Sequence, residues 1–408
     1  MKRVVVIGGG AAGLMAAVTA AENGNNVIIA EKRERPARKL LITGKGRCNV
    51  TNNCGNDTLI ANTTKNGRFL YSAFANWSSA DTMSFFEQLG VPLKTERGNR
   101  VFPVSDKSVD IVDALVNKAK LTGVKFIHSA AEDIITDDMG VSAVKLQNGE
   151  TLSADAVILA TGGMSYKNTG STGDGYVLAQ KLGHTVTELT PSLVPLNVHE
   201  GFCVSLMGLS LKNVMLSVYE EGKTKAVYEE MGEMLFTHFG ISGPMVLSAS
   251  AHMRKMDKVQ YVVKINLKPA LSEEQLDKRL QRDFSENANK NFANALDKLL
   301  PQKLIPVIVK LSGVAPDKKV NQITKLDRQN IIKTMRELTL HVTSFRDIDE
   351  AIITSGGISV KEINPTTMES KIVNNLFFAG EIIDVDAYTG GFNLQIAFST
   401  GHLAGGSI

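Results

Sequence analysis

The sequence contains few cysteines and no long apolar run, and both absences narrow the class of protein. Its 408 residues include three cysteines, Cys48, Cys54 and Cys203. Three are too few for a disulfide framework and are typical of a reducing compartment such as the cytoplasm. Because no run of eighteen apolar residues is present, no membrane-spanning helix is expected. The apolar stretch at the N-terminus is too short for a signal peptide and lacks a small-residue cleavage site.

The sequence also lacks a strong net charge and several common motifs of catalytic and ligand-binding sites. The formal net charge is +3, which is too small to indicate a nucleic acid partner. No Cys-x-x-Cys pair is present for dithiol chemistry, and no metal site is expected. Gly44-Lys45-Gly46-Arg47 is not a Walker loop, because no Ser or Thr follows its lysine. The sequence therefore describes an ordinary globular protein, long enough for two or three domains.

The first residues carry the pattern of a dinucleotide-binding unit. Met1–Ile7 is a β-branched run that predicts a strand buried on both faces. Gly8, Gly10 and Gly13 follow as Gly-x-Gly-x-x-Gly and open a helix of small residues. In this motif the first glycine allows a tight turn, the second lets a pyrophosphate approach the backbone, and the third lets the helix pack on the strand.

The residues around this motif strengthen the prediction. The N–H groups at the helix start, including those of Ala11 and Ala12, would bind the phosphates. Glu31 ends a second predicted strand, where an acidic side chain accepts hydrogen bonds from ribose hydroxyls. The basic stretch that follows includes Lys32 and Lys39, which we expect to face the phosphates and the adenosine.

A second glycine-containing segment comes soon afterwards. Gly44 and Gly46 precede Arg47, Cys48 and Asn49, and this spacing indicates backbone that lies against a flat ligand. Two interpretations of Cys48 stay open. In the first, the Cys48 thiol faces the ring of the flat ligand. In the second, Cys48 is a small buried residue that supports the turn at Arg47–Asn49.

From the dinucleotide motif onward the chain resembles a bacterial family of NAD(P)/FAD-dependent oxidoreductases with BaiN-like and aminoacetone-oxidase-like members. The resemblance spans nearly the whole chain and is carried by KLLITGKGRCNVTN (39–52), ATGG (160–163), TGDGYVLAQKLGH (172–184), LFTHFGISGP (235–244), TSGGISVKEINP (354–365) and LFFAGEIIDVDAYTGGFNLQIAFSTG (376–401). It implies an α/β fold in which a Rossmann-like, glutathione-reductase-type FAD-binding domain is interrupted by an inserted domain. It also implies non-covalent FAD.

Sequence patterns place the boundaries of these domains. Residues 1–189 and 347–408 are expected to form the FAD-binding domain, with 376–379 in the same parallel sheet as 4–7. Within it, alternating segments around Asn148-Gly149 predict a three-stranded antiparallel crossover with a two-residue hairpin. Residues 190–346 are the insert, β-rich over 190–268 and helical over 269–339, with Ser272 as a helix N-cap.

The resemblance also implies where the cofactor lies. Residues 44–49 would lie beside the isoalloxazine ring, and the backbone at Gly391–Leu394 would lie at its pyrimidine edge, where a helix N-terminus stabilises negative charge on the reduced ring. The further residues expected to bind FAD are Ala131, Thr161, Gly162, Gly163, Gly380, Glu381, Asp386, Gly391, Phe392, Asn393 and Leu394.

Only one complete Gly-x-Gly-x-x-Gly is present, and FAD uses it. NADH or NADPH must therefore dock transiently, or the substrate itself reduces the flavin and dioxygen reoxidises it. We expect an oxidoreductase that transfers hydride to or from a small organic substrate. An RNA-associated flavoprotein of the tRNA-modifying kind and a non-catalytic flavin sensor are the alternatives.

The inserted domain supplies one candidate for proton transfer. His238 lies in LFTHFGISGP, where we expect the insert to face the ring, and histidine is the side chain that exchanges protons most readily near pH 7. A structural role for His238 is the competing interpretation. Phe236 and Phe239 on either side of it are expected to exclude water.

Overall fold

The computed structural model describes residues 1–408 and divides into two compact units. The first unit comprises Met1–Ser192 and Asp347–Ile408, and the second comprises Leu193–Arg346. The sequence patterns predicted an insert at residues 190–346. None of the helices has both the length and the apolar character needed to cross a membrane.

The N-terminal part of the first unit is rich in short elements. Its strands are β1 (Arg3–Ile7), β2 (Asn26–Ala30), β3 (Thr51–Asn52), β4 (Thr63–Lys65), β5 (Leu93–Glu96), β6 (Arg100–Pro103), β7 (Lys125–Ile127), β8 (Ala131–Asp137), β9 (Gly140–Leu146), β10 (Thr151–Ser153), β11 (Ala156–Leu159) and β12 (Thr190–Ser192). Its helices are α1 (Ala11–Glu22), α2 (Arg38–Gly46), α3 (Asn56–Ala61), α4 (Tyr71–Asn76), α5 (Ser79–Gln88), α6 (Ser108–Leu121) and α7 (Asp174–Lys181).

The second unit and the C-terminal part of the first follow. The second unit contains strands β13 (Leu196–Val198), β14 (Ser210–Glu220), β15 (Tyr228–Phe236), β16 (Gly240–Ser242), β17 (Tyr261–Asn266) and β18 (Leu338–Phe345), and helices α8 (Phe202–Ser205), α9 (Pro244–Ser250), α10 (Glu273–Ser285), α11 (Ile305–Leu311) and α12 (Lys325–Arg336). The chain then completes the first unit with β19 (Ile353–Ser355), β20 (Leu376–Phe378), β21 (Asp386–Ala387) and α13 (Phe392–Gly406).

A five-stranded parallel sheet forms the centre of the first unit. Its strand order is β20-β11-β1-β2-β7, and every neighbouring pair is parallel. The side chains of Val4–Ile7 on β1 are buried, as the β-branched run predicts. The prediction that residues 376–379 join the sheet of residues 4–7 is confirmed, with β11 between them. All of these strands therefore present their carboxyl ends, and the loops that follow, at one edge.

The antiparallel crossover is also present. β8, β9 and β10 form a separate three-stranded sheet before the chain returns to the parallel sheet as β11. The turn differs in detail from the prediction. The Leu146 N–H donates to the Glu150 carbonyl oxygen at 2.8 Å, so three residues, Gln147–Gly149, form the loop instead of two. Gly149 takes a φ of +88°, as three-residue hairpins of this kind require.

The second unit is built on a closed six-stranded barrel in the order β13-β16-β15-β14-β17-β18. The sequence patterns predicted a β-rich part and a helical part, but not the closure of the barrel. β18 follows the helices and pairs with both β17 and β13, which closes the barrel. In the helical part, the predicted Ser272 cap is confirmed, since its hydroxyl accepts from the Gln275 N–H at 3.2 Å.

Candidate functional site

The glycines between β1 and α1 have two different environments. Gly8 has a φ of +102°, and a Cβ atom there would lie 2.6 Å from the Ala160 carbonyl oxygen. A Cβ on Gly13 would overlap the carbonyl oxygen of Gly8. Around Gly10, in contrast, a Cβ would meet no atom within 4 Å. Gly8 and Gly13 are therefore required by the fold, whereas the missing side chain of Gly10 leaves open space beside the backbone.

The N-terminus of α1 points unpaired donors into this space. Gly10 is the N-cap and provides no side-chain cap, and the first turn contains no acidic residue. The first hydrogen bond of the helix joins the Leu14 N–H to the Gly10 carbonyl oxygen at 2.9 Å. The preceding N–H groups at Ala11, Ala12 and Gly13 are thus available to an anion, and the helix dipole favours negative charge there.

Glu31 lies against the same loop. Its carboxylate accepts hydrogen bonds from the Gly9 N–H at 2.7 Å and from the Arg33 N–H at 2.8 Å. These contacts fix the side chain at the carboxyl end of β2, next to the glycine loop. The Lys32 side chain, which we expect near the phosphates and the adenosine, pairs with Asp174 and Thr172 at the start of α7.

The segment after β2 has an unusual backbone. Left-handed φ values occur at five of its residues, Ala37, Gly44, Lys45, Gly46 and Cys48. The helix α2 is broken at Thr43, after which the chain makes a left-handed turn. Left-handed conformations at non-glycine residues are costly, and they occur most often at ligand-binding and catalytic sites. This conformation is compatible with the predicted contact between backbone and a flat ligand.

The side chains of this segment have separate environments. Cys48 is fully buried, and burial raises the pKa of its thiol to about 12. A neutral thiol with no exposed surface supports the second of the two interpretations, a residue that packs beneath the turn. The Arg47 guanidinium pairs with Glu96 and Asp106 and lies 4.1 Å from the centre of the Phe102 ring. Its side chain is therefore committed to its neighbours, which leaves the Arg47 backbone for a ligand.

Two loops at the carboxyl edge of the sheet meet at Glu381. Its carboxylate lies 3.1 Å from the Lys39 ammonium and accepts the Thr354 N–H at 2.9 Å. Ser165 places its hydroxyl 3.1 Å from the same ammonium and 3.4 Å from the carboxylate. The structure thus brings together the predicted residues Lys39 and Glu381 with two that the sequence analysis did not select, Ser165 and Thr354. Thr354 opens the TSGG motif, which was noted only as part of the family resemblance.

The remaining predicted residues of these loops are close by. A Cβ on Gly163 would lie 2.6 Å from the Thr354 hydroxyl oxygen, and one on Gly162 would lie 3.9 Å from the Glu381 carboxylate. A Cβ on Gly380 would lie 2.7 Å from Ala12 in the first turn of α1. Ala131, the first residue of β8, pairs with Leu146 in the crossover sheet and has no contact that links it to this cluster.

The start of α13 forms a second uncapped helix N-terminus. Gly391, the N-cap, has a φ of +98°, and its Cα lies so near Thr51 that any side chain would overlap the Thr51 backbone. The Asn52 amide donates to the Gly390 carbonyl oxygen at 3.0 Å and holds the loop from the other side. The first helical hydrogen bond is made by the Gln395 N–H at 3.0 Å. The three N–H groups before it therefore stay available.

Two side chains near this helix start are already bonded within the protein. The Asn393 amide bonds to the backbone of Ala387 and Tyr388, so only its backbone N–H is left for a ligand. The Asp386 carboxylate is buried and accepts the Thr64 hydroxyl. These contacts stabilise the loop between β21 and α13. They support a structural role for the Asp386 side chain more than the predicted contact with a cofactor.

The two uncapped helix starts belong to helices that pack side by side. Gly401 of α13 lies against the Ala12 carbonyl oxygen, and Gly405 lies against that of Ala16, so the helices run parallel. From this register, α13 begins about eight residues before α1, or about 12 Å along the axis at 1.5 Å per residue. Two donor-rich helix ends thus point the same way at different heights. This arrangement suits a long ligand with an anionic middle and a flat, electron-accepting end.

The residues present fit an FAD molecule. Open space at Gly10 and the N–H groups of α1 suit its pyrophosphate, and the Glu31 carboxylate is placed to accept from a ribose hydroxyl. Asn49 Oδ1 and Thr161 Oγ1 are among the buried polar atoms that have no hydrogen-bond partner within the protein. Buried polar atoms are seldom left unpaired, so these two indicate that a polar ligand completes the site.

The candidate proton donor lies in the second unit. His238 is exposed in the turn between β15 and β16, and its ring meets the edge of Phe239 with centres 5.0 Å apart. The Arg346 guanidinium lies 4.5 Å from the centre of the Phe239 ring. Phe236 is fully buried in the barrel core, whereas Phe239 is partly buried beside His238.

Comparison with known proteins covers nearly the whole chain. The HI0933-like protein Rossmann domain matches residues 2–407 of the chain. A 3-dehydro-bile acid delta(4,6)-reductase of Clostridium scindens is 30% identical over 387 residues, covering 92% of this chain and 91% of the relative. A ribosomal RNA dihydrouridine synthase of Escherichia coli is 30% identical over 368 residues, covering 90% of this chain and 88% of the relative.

A solved structure supports the fold. The 3-ketosteroid-delta4-(5alpha)-dehydrogenase of Rhodococcus jostii, determined with 4-androstene-3,17-dione, superposes with a TM-score of 0.52 at 16% identity and covers 100% of this chain and 96% of its own. The predicted Rossmann-type α/β fold, the FAD cofactor and the oxidoreductase class are confirmed by these comparisons.

Proposed function

The chain belongs to the HI0933-like family of FAD-dependent oxidoreductases, and from this premise we propose that it reduces a carbon–carbon double bond conjugated to a carbonyl group in a small organic substrate. The observation that carries the proposal is the relative from Clostridium scindens, a delta(4,6)-reductase of a 3-dehydro-bile acid. In such a compound the double bonds extend from a ketone, which makes the carbon at the far end electron-poor and able to accept hydride.

Each part of the site has a role in this proposal. FAD, when bound, supplies the two-electron hydride chemistry. The N–H groups of α1 bind the pyrophosphate, and Glu31 accepts a hydrogen bond from the ribose. The backbone of residues 44–49 supports the ring, and the N–H groups at the start of α13 stabilise negative charge at its pyrimidine edge.

Reduction of a conjugated double bond adds a hydride to one carbon and a proton to its neighbour. The electrons would come from NADH or NADPH, which docks transiently because the chain has a single dinucleotide loop. The proton requires a donor, and His238 is our candidate for that role. Cys48 is a weaker candidate because its thiol is buried and neutral.

A second candidate substrate is a uracil base in RNA. The observation in its favour is the Escherichia coli relative, whose name describes the synthesis of dihydrouridine in ribosomal RNA. Conversion of uridine to dihydrouridine also saturates a double bond conjugated to a carbonyl, so both candidates use the same chemistry. The net charge of +3 argues for the small molecule, because RNA binding depends largely on basic residues that contact phosphates.

Anaerobic spectroscopy tests the proposal. We expect NADH or NADPH to bleach the 450-nm flavin band, and a cyclic conjugated enone to restore it with formation of the saturated product. An RNA transcript containing uridine serves as the second oxidant, and the 260/280-nm absorbance ratio after flavin removal reports co-purified RNA. Restoration by RNA and not by any enone would favour the second candidate. Restoration by neither would contradict both.

A further inference from the structure

Thr354 lies where three loops of the FAD site meet, although it is not in the parallel sheet. It is 1% exposed and belongs to β19, which pairs with β12. Its neighbours come from the loop after β11, from the loop after β20 and, through Glu381, from α2. A single buried threonine therefore contacts segments that are far apart in the sequence.

The Thr354 hydroxyl organises the loop after β11. Its oxygen accepts the Met164 N–H at 2.8 Å and the Ser165 N–H at 3.1 Å. Since a hydroxyl oxygen has two lone pairs, these two bonds use its whole capacity as an acceptor. Gly163, one residue earlier, packs so closely that a Cβ there would lie 2.6 Å from this oxygen. The path of the backbone through Gly162 and Gly163 is thus set by contact with Thr354.

The Thr354 backbone organises the loop after β20. Its N–H donates to the Glu381 carboxylate at 2.9 Å, while the other carboxylate oxygen lies 3.1 Å from Lys39. The carboxylate is thereby held between a neutral donor and a cation. Both Glu381 and Lys39 are residues that we expect to contact FAD.

We infer that Thr354 is a positioning residue for the FAD site, which sets the backbone of Gly162–Ser165 and the orientation of the Glu381 carboxylate before the cofactor binds. This inference rests on FAD as the cofactor and does not depend on the substrate proposed above. No other group within the protein accepts the N–H groups of Met164 and Ser165, so loss of the hydroxyl leaves both donors without a partner in the protein.

The test compares Thr354→Val with Thr354→Ser, since valine keeps the shape without an acceptor and serine keeps the acceptor. FAD is removed and titrated back, and the dissociation constant and the shape of the 450-nm band are measured. We expect Thr354→Val to bind FAD at least about tenfold more weakly with an altered band, and Thr354→Ser to remain within about threefold of the wild type.

Thr82→Val is the matched control. Thr82 is fully buried in the same unit, and its hydroxyl accepts the Trp77 indole N–H at 2.9 Å, outside the loops of the site. The Thr82→Val variant should have a lower melting temperature and an unchanged affinity for FAD. If Thr354→Val lowers only the melting temperature, as Thr82→Val does, or if Thr354→Ser loses affinity to the same degree as Thr354→Val, the inference is overturned. Should Thr354→Val fail to fold, Thr354→Cys, a weaker acceptor, replaces it with the same criterion.

Discussion

A side chain on Gly401 would overlap the carbonyl oxygen of Ala12, so the backbones of α13 and α1 are in direct contact. Gly405 has the same relationship to Ala16 one turn later. This contact sets the distance between the two helix starts, one of which we assign to the pyrophosphate and the other to the flavin ring. We therefore expect the spacing of small residues along α13 to affect cofactor binding.

We predict that Gly401→Ala destabilises the protein and weakens FAD binding. The added methyl group forces α13 away from α1, and overpacking of this kind costs about 1–3 kcal/mol. Gly406→Ala is the control, because a Cβ there would only touch Thr19 at an ordinary 3.8 Å. Urea unfolding of the FAD-free protein and titration with FAD measure the two effects. Equal stability of the two variants would show that the helices are not packed as described.

Gly10→Val should abolish FAD binding and leave the FAD-free fold intact. A Cβ on Gly10 meets no protein atom within 4 Å, so the valine would fill only the space assigned to the pyrophosphate. Gly55→Val is a close control, since Gly55 is also a helix N-cap with extended backbone and empty surroundings. Flavin content and melting temperature of both purified proteins are the measurements. A yellow Gly10→Val protein with full FAD content would refute the assignment.

The cysteines should differ in their reactivity toward a thiol reagent at pH 8. Burial raises the pKa of Cys48 and of Cys203 to about 12, so both are neutral thiols in the folded protein. Cys54 is only partly buried, and we expect it alone to be labelled before unfolding. Mass spectrometry after limited alkylation identifies the labelled residue. Rapid labelling of Cys48 would reopen the interpretation in which its thiol faces the ring.

The same pKa values predict a loss of stability at high pH. An unfolded thiol ionises near pH 9, whereas the folded Cys48 and Cys203 keep their protons up to about pH 12. The folded state therefore binds more protons between these values, and its stabilisation is complete below pH 9 and is lost as the pH rises toward 12. Urea unfolding between pH 8 and pH 10.5 should show this decline, and Cys48→Ala should reduce its slope. An unchanged slope in that variant would count against the assigned pKa.

His238→Ala should slow the transfer to substrate by about 10²–10⁴-fold if His238 donates the proton. The rate of flavin reduction by NADH or NADPH should stay unchanged, because in that step the protein does not protonate a carbon atom. His199→Ala, which removes another exposed histidine of the second unit, is the control. Rates from single-turnover stopped flow, measured together with melting temperatures, distinguish the roles. A His238→Ala enzyme that is less stable but equally fast would assign His238 a structural role.

The sequence predicted the parts of the fold that local patterns determine. The β-branched run at Val4–Ile7, the glycines at 8, 10 and 13 and the cap at Ser272 each encode their own structure, and each was found as expected. The placement of Leu376–Phe378 in the first sheet is confirmed as well, although its partners on β11 lie 219 residues earlier in the chain.

The rest depends on contacts between distant residues. Closure of the barrel requires β18 to pair with β13, and nothing in either strand alone specifies that partner. Thr354 and Ser165 were missed for a similar reason, since a buried hydroxyl reveals its role only when the N–H groups it accepts are known. Arg47 illustrates the same limit. The sequence placed it in a segment expected to bind the cofactor, but the pairing of its side chain with Glu96 and Asp106 joins residues 49 and 59 positions apart.

The central claim is that reduced flavin in this protein delivers hydride to a conjugated carbon–carbon double bond. The most direct measurement is a single turnover without dioxygen, in which the photoreduced enzyme is mixed with one equivalent of a cyclic enone and followed at 450 nm. We predict that the flavin is reoxidised with formation of one equivalent of saturated ketone. If only dioxygen reoxidises the flavin, and an amine reduces the oxidised enzyme instead, the protein is an oxidase and the account is contradicted.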